Sequence, residues 1–287
     1  MRSDLLMSIF ERILYLLQAD MEPPASYGVW HICFLLLTAA ASVLAVWRFR
    51  NASEKTLRKL LLGVWIGLAA LEVYKQLVFS LDVTDGVASW SYQWYAFPFQ
   101  FCSSPLYVLP FAIFPKSDRI RSAAMSFLAT FSLFGGLAVM AYPGDVFISM
   151  VGINIQTMVH HGSQVVVGVL MMAWDRRRMD KVFFAKGVIV FAILAAVAMI
   201  LNLGVHAALV SAGMGDLTFN MFFISPYHPC TLPVLSLIYP VVPYPVFLLL
   251  YLVGFSAVAW ILFLLGKGIL HLIDLRGRCR QGQTDKA

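Results

Sequence analysis

The chain has 287 residues, of which 60% are hydrophobic and only 13% charged, against about 25% charged in an ordinary soluble domain, so water is not its main solvent. Its net charge of +6 would suit a nucleic acid, but the basic residues stand in short clusters between apolar runs, the placement that orients a membrane protein, and nucleic-acid binding is disfavoured. Four cysteines, Cys33, Cys102, Cys230 and Cys279, form no CxxC pair and no Cys/His zinc spacing, which indicates neither a disulfide scaffold nor a bound metal.

In residues 1–26, Leu6, Ile9, Phe10, Ile13 and Leu17 share one helical face, with Asp4, Ser8, Glu11 and Gln18 on the other. This is the pattern of an amphipathic helix lying in the outer interface. Glu11 and Arg12 interrupt the apolar run, so the segment does not read as a signal peptide. Seven apolar segments follow, Tyr27–Trp47, Leu60–Leu81, Ala96–Pro115, Ser122–Tyr142, Met150–Trp174, Val182–Val205 and Tyr244–Lys267. At about twenty residues each, they match a hydrocarbon core about 30 Å thick.

The linkers after the first, third, fifth and seventh segments carry Arg48, Arg50, Lys55, Arg58 and Lys59, then Lys116, Arg119 and Arg121, then Arg176, Arg177, Arg178 and Lys181, then Arg276, Arg278, Arg280 and Lys286. The alternate linkers, 82–95, 143–149 and 206–243, contain no Lys or Arg and hold Asp82, Asp85, Asp145 and Asp216. This alternation predicts an all-α polytopic protein of the cell membrane with seven transmembrane helices, its N-terminus outside and its C-terminus cytoplasmic. The expected organisation is an interfacial segment over 1–26, a membrane domain over 27–270 and a basic cytoplasmic tail over 271–287. One outer connection, 213–243, is too apolar for a solvated strap and is expected to form a re-entrant or surface-hugging cap. No internal repeat is present, which disfavours an inverted-repeat transporter.

Polar groups within a span normally face protein or a cavity. Here they gather in the outer halves: Glu72, Lys75 and Gln76 in the second span, Gln100, Cys102, Ser103 and Ser104 in the third, Asn154, Gln156, His160, His161 and Gln164 in the fifth, and Asn202 with His206 at the end of the sixth. A helical rise of 1.5 Å per residue puts Cys102 roughly 9 Å below the start of its span. Glu72 and Lys75, three residues apart, suit a structural ion pair, and Glu72 with Gln76 is the alternative contact. Gln156, His160 and Gln164 share one stripe of their helix. Adjacent histidines point about 100° apart, so one imidazole can face a cavity while the other bonds a neighbouring helix. A cysteine in such a place is more often a small apolar residue than a nucleophile, but a histidine at the same depth supplies the base a thiol needs. A Cys102–Cys230 disulfide is the competing expectation if the outer face is oxidising.

At Phe97–Phe111, reading FPFQFCSSPLYVLPF, and at Gln156–Gly162, reading QTMVHHG, the chain resembles the YwaF-like bacterial integral membrane family. That family is related to the eukaryotic transmembrane protein 164 acyltransferases and, more distantly, to the androgen-induced-gene-type lipid hydrolases. The resemblance runs from about Tyr27 to Lys267 and includes Glu72. It implies a cysteine-dependent phospholipid acyltransferase with a membrane-embedded Cys and His, in which the FQFC cysteine is Cys102. The histidine falls on the doublet, with His161 preferred and His160 the alternate.

Three functions compete at this point. In an acyl-transfer enzyme, Cys102 attacks a phospholipid ester in an outer-leaflet cleft, His161 takes and returns the proton, and Gln100, Gln164 or Asn154 donates to the oxyanion. A lysophospholipid acceptor makes it a transferase and water makes it a hydrolase; Glu72, Lys75, Asn202 and His206 are then support or substrate-binding residues. A transporter or ligand-binding protein would use Glu72, Lys75 and His161 as a polar site, but the apolar inner halves offer no track for alternating access. A retinal-type receptor would need a lysine inside the last span, where Lys267 marks only its end. Membrane lipids are the expected partners, no cofactor is required, and the oligomeric state is left open.

Overall fold

The structure is a computed structural model that describes residues 8–84, 86–174 and 179–284, with side chains as far as Ile273. Asp4, Leu6, Asp85, Arg176, Arg177, Arg178 and Lys286 lie outside the described residues, as do the side chains of Arg276, Arg278, Cys279 and Arg280. The fold is mostly helical: α1 (Ile9–Leu17), α2 (Val29–Phe49), α3 (Glu54–Val78), α4 (Ser104–Ile113), α5 (Asp118–Phe127), α6 (Leu133–Ala141), α7 (Val151–Trp174), α8 (Lys181–Ser211), the single turn α9 (Leu235–Ile238) and α10 (Tyr244–Thr284). A π-helical turn, Leu128–Ser132, joins α5 to α6 into one rod.

Six segments are long and apolar enough to cross a membrane: Val29–Phe49, Glu54–Val78, Trp94–Ile113, Asp118–Ala141, Lys181–Ser211 and Tyr244–Ile273. The remaining expected segment, α7, is an unbroken helix of 24 residues. Its Asn, Gln, Thr and His side chains make it more polar than those six. It can be so because protein surrounds it: sixteen of its residues are buried, against His31 alone in α2. α7 runs between α2 and the α5–α6 rod, with α3 and α10 also against it. Where α2 crosses, a Cβ on Gly162 would stand 2.6 Å from the Thr38 hydroxyl, so glycine is what permits the approach.

The basic linkers meet at one end of the bundle. There Arg121 bonds Glu54 at 2.7 Å and Asp118 at 3.0 Å, Arg58 reaches the Pro115 carbonyl at 3.2 Å, and Trp174 donates to Ala52 at 2.8 Å. At the opposite end the N-terminal segment is woven in rather than laid on. Asp20 and Met150 form a β-bridge, Gln18 donates to Val78 and Leu81, and Tyr74 donates to Leu17. α1 begins with a Ser8/Glu11 capping box, buries Leu14 and leaves Ile9 (79% exposed) and Leu16 (72% exposed) uncovered.

Three features depart from the sequence expectation. The linker after α3 is a β-hairpin, β1 (Leu81–Thr84) paired antiparallel with β2 (Val87–Trp90). The third apolar segment is not a continuous helix: Phe97–Gln100 is irregular and bent, Phe101–Ser103 is one 3₁₀ turn, and regular helix begins only at Ser104. The depth computed for Cys102 from a helical rise therefore does not apply. Cys33, Cys102 and Cys230 are free thiols, so the alternative Cys102–Cys230 disulfide is absent.

Candidate functional site

The break in the third segment has a local cause. Pro98 and Pro105 bracket it, and a proline disfavours helix in the residue before it while lacking the N–H a helix needs. Pro105 sits in the first turn of α4, where it is tolerated. The break leaves the Cys102 carbonyl without a helical partner, and α7 supplies two: His160 Nε2 at 2.8 Å and Gln164 Nε2 at 2.7 Å. Two side chains from one stripe of α7 thus hold the peptide of Cys102. The α5–α6 rod closes in from the other side, where a Cβ on Gly136 would lie 2.8 Å from both the His161 carbonyl and Gln164 Cβ. Cys102 itself is partly exposed.

The hydrogen bonds assign the tautomers. A carbonyl only accepts, so in the neutral imidazole His160 carries its proton on Nε2 and leaves Nδ1 bare. His161 donates from Nδ1 to the Thr157 carbonyl at 2.7 Å and leaves Nε2 bare. Both bare nitrogens are buried without a hydrogen-bond partner, as are Gln164 Oε1 and Glu72 Oε2. The two rings are 5.4 Å apart, tilted by 69°. The bare nitrogen of His160 is the one next to its own main chain, while that of His161 is the distal one and points away from the helix.

α3 brings the charges. Lys75 Nζ meets Glu72 Oε1 at 2.8 Å, both side chains nearly buried. Gln76 donates to the same carboxylate oxygen at 2.8 Å and to the Ala96 carbonyl at 2.9 Å. Tyr92 in turn donates to Gln76 Oε1 at 2.9 Å. Burial, then the charge of Glu72 and the neighbouring Tyr107, push the Tyr92 hydroxyl up to about 12, so it stays a donor. Lys75 lies within electrostatic reach of Cys102 and of both histidines.

The segment after α8 lies over the Cys102 loop. Gln100 ties the two together, accepting from Phe222 N at 3.3 Å and donating to Asn220 O at 3.4 Å and Tyr95 O at 3.2 Å. Asn202 clamps Met221 through its N–H at 2.7 Å and its carbonyl at 3.0 Å. Phe222 and Phe223 have φ of 58° and 57°, a left-handed conformation that disfavours phenylalanine. What the distortion yields is the seat of Phe222, fully buried, its ring 5.8 Å from Phe99 and 5.6 Å from Phe101.

Of the residues singled out from the sequence, the structure gathers Glu72, Lys75, Cys102, His160, His161 and Gln164. Gln100 and Asn202 hold the cap. Asn154 is used on the loop before α7, bonding Ile148 N at 3.0 Å and O at 2.7 Å. His206 stands apart, stacked on Tyr227 at 3.6 Å. Gln76, which the sequence offered as an alternative partner of Glu72, bonds it and is the hub between Glu72, Tyr92 and Ala96. One residue was missed. Tyr251 of α10 is fully buried with a hydroxyl that has no partner, and in an apolar segment nothing marked it from packing aromatics.

The model of the TMEM164 family matches residues 26–267, most of the chain. No curated protein and no solved structure matches it.

Proposed function

The chain belongs to the TMEM164 family, and from that membership and the setting of Cys102 we propose that it is a membrane-embedded acyltransferase. It moves a fatty acyl group from a phospholipid to a lysophospholipid through a thioester on Cys102. The observation that carries the reading is the double clamp on the Cys102 carbonyl by His160 and Gln164, with the distal nitrogen of the adjacent His161 buried and bare. A catalytic base needs an unprotonated nitrogen held by a hydrogen bond through the other, and Thr157 provides that anchor for His161. His160 positions the cysteine.

The reaction runs in two halves. The Cys102 thiol gives its proton to His161 Nε2, and the sulfur attacks the ester carbonyl, forming a C–S bond. The tetrahedral intermediate collapses by breaking the C–O bond, and the leaving glycerol oxygen takes the proton from His161. A lysophospholipid hydroxyl then surrenders its proton to His161 and attacks the thioester; the C–S bond breaks, and the sulfur takes the proton from His161 to restore the thiol. Lys75 favours the anionic sulfur while Glu72, itself held by Gln76, keeps the ammonium in place. Water in place of the second lipid would make the same site a hydrolase.

The same reading takes α7 as a seventh membrane helix, screened from lipid by its neighbours, and places the basic end of the bundle in the cytoplasm with the N-terminus outside. The test is purified protein in phosphatidylcholine vesicles with labelled lysophospholipid. Native protein should carry an acyl mass on Cys102 and yield new diacyl lipid. Cys102→Ala should do neither while its Tm falls by no more than a few degrees, since the change leaves a void costing of order 1 kcal/mol. Full activity in Cys102→Ala would end the acyltransferase reading, and release of free fatty acid without new diacyl lipid would make it a hydrolase.

A further inference from the structure

Tyr251 belongs to no hydrogen-bonded group described so far. Its side chain is 0% exposed, yet the hydroxyl has no donor or acceptor within reach, sulfur included. Leaving a buried hydroxyl unpaired is destabilising, so a phenylalanine would serve packing better. The ring is fixed by stacking on Phe255 at 4.3 Å and lies 6.2 Å from Phe191. Both of those rings also pack against Phe101, the neighbour of Cys102, at 5.1 Å and 5.8 Å. The aromatic wall that carries the cysteine loop therefore also carries Tyr251. Its hydroxyl falls within electrostatic reach of both Cys102 and Cys230, without bonding either sulfur.

We propose that Tyr251 is a catalytic residue that donates a hydrogen bond to the oxyanion formed when the Cys102 sulfur adds to an ester carbonyl. The inference deepens the acyl-transfer reading and rests on it. A buried hydroxyl without a partner is idle in the resting protein. When the C–S bond forms, the carbonyl π electrons move onto oxygen, and that oxygen then needs a donor from the wall that carries the cysteine. A donor that also rests on the thioester carbonyl but bonds most strongly once the oxygen is charged lowers the barrier more than it tightens substrate binding. The amide and imidazole donors nearby are already engaged: Gln164 Nε2 and His160 Nε2 on the Cys102 carbonyl, and Gln100 Nε2 on the cap. Tyr251 is a donor whose proton is unspent.

The test compares native protein with Tyr251→Phe in three measurements: kcat and KM for acyl transfer, the thioester carbonyl stretch of the acylated protein by infrared difference spectroscopy, and Tm. Loss of the donor should lower kcat about 10²–10³-fold, leave KM within a few-fold, and raise the carbonyl stretching frequency. Tm should hold or rise, because the ring stack stays and the unpaired hydroxyl goes. If native protein is acylated on Cys102 while Tyr251→Phe keeps its kcat and carbonyl frequency, the Tyr251 inference falls and the acyl-transfer reading stands. A lower kcat with a lower Tm and an unshifted carbonyl would make Tyr251 a packing residue and overturn the inference. If native protein forms no thioester at all, both fall together.

Discussion

Gly136 offers a steric probe of the site that touches none of its chemistry. Its missing side chain is what lets the α5–α6 rod lie against α7, because a Cβ there would stand 2.8 Å from the His161 carbonyl and 2.8 Å from Gln164 Cβ. Neither neighbour is a free side-chain end that can swing aside. Restoring ordinary contact at 3.4 Å requires the two helices to separate by roughly 0.6 Å. A catalytic constellation tolerates about 0.5 Å, and a 1 Å misplacement costs on the order of 10²-fold. Gly136→Ala is therefore expected to slow thioester formation about tenfold or more. The overpacking should also destabilise by about 1–3 kcal/mol, read as a lower Tm in detergent. Gly254→Ala is the control: nothing lies within 4 Å of its Cβ, and replacing a helical glycine by alanine stabilises by up to about 1 kcal/mol. A Gly136→Ala protein with native thioester rate and native Tm would refute the account of how α6 and α7 set the site.

The histidines should separate in a paired substitution. His161→Gln is expected to lose about 10²–10⁴-fold in kcat, whereas His160→Gln should be milder and accompanied by a lower Tm; the reverse order would move the base by one residue. Glu72→Gln leaves the Lys75 ammonium nearly buried without its counter-charge, an effect of about 3 kcal/mol, yet Cys102 should still form the thioester. Adding Lys75→Met should then recover part of the lost Tm, and failure to do so would separate the two residues energetically. For orientation, a single-cysteine chain carrying Asp145→Cys should react with a membrane-impermeant maleimide in intact cells. Reaction only after lysis would reverse the orientation.

Sequence patterning located the long apolar helices because hydropathy over twenty residues reflects the solvent around them. It also found Cys102, Glu72, Lys75 and the histidines, since polar groups within apolar runs stand out by their expense. The broken third segment was legible in Pro98 and Pro105 but was outweighed by the apolar character of the whole run. The hairpin was signalled by Asp85-Gly86 between alternating residues, the strongest short hairpin pattern. Other features had no local signature. That His160 and Gln164 would bind the Cys102 carbonyl depends on helices 58 and 62 residues apart in sequence meeting. A buried tyrosine hydroxyl without a partner exists only once the aromatic rings around it have packed.

The polarity of α7 also governs how the protein must be made. A helix carrying Asn154, Gln156, His160, His161 and Gln164 on its flanks is poorly retained by lipid on its own, since ionisable and amide groups partition out of hydrocarbon. It becomes stable only as a guest of helices already in the membrane. α2 and the α5–α6 rod both precede it during synthesis, and together they form the groove that receives it. The step that threads α7 into that groove is then the point at which assembly succeeds or is abandoned to proteolysis. Substitutions along the α2–α7 seam, such as Gly162→Val against Thr38, should register in cells as missing protein before they register as missing chemistry.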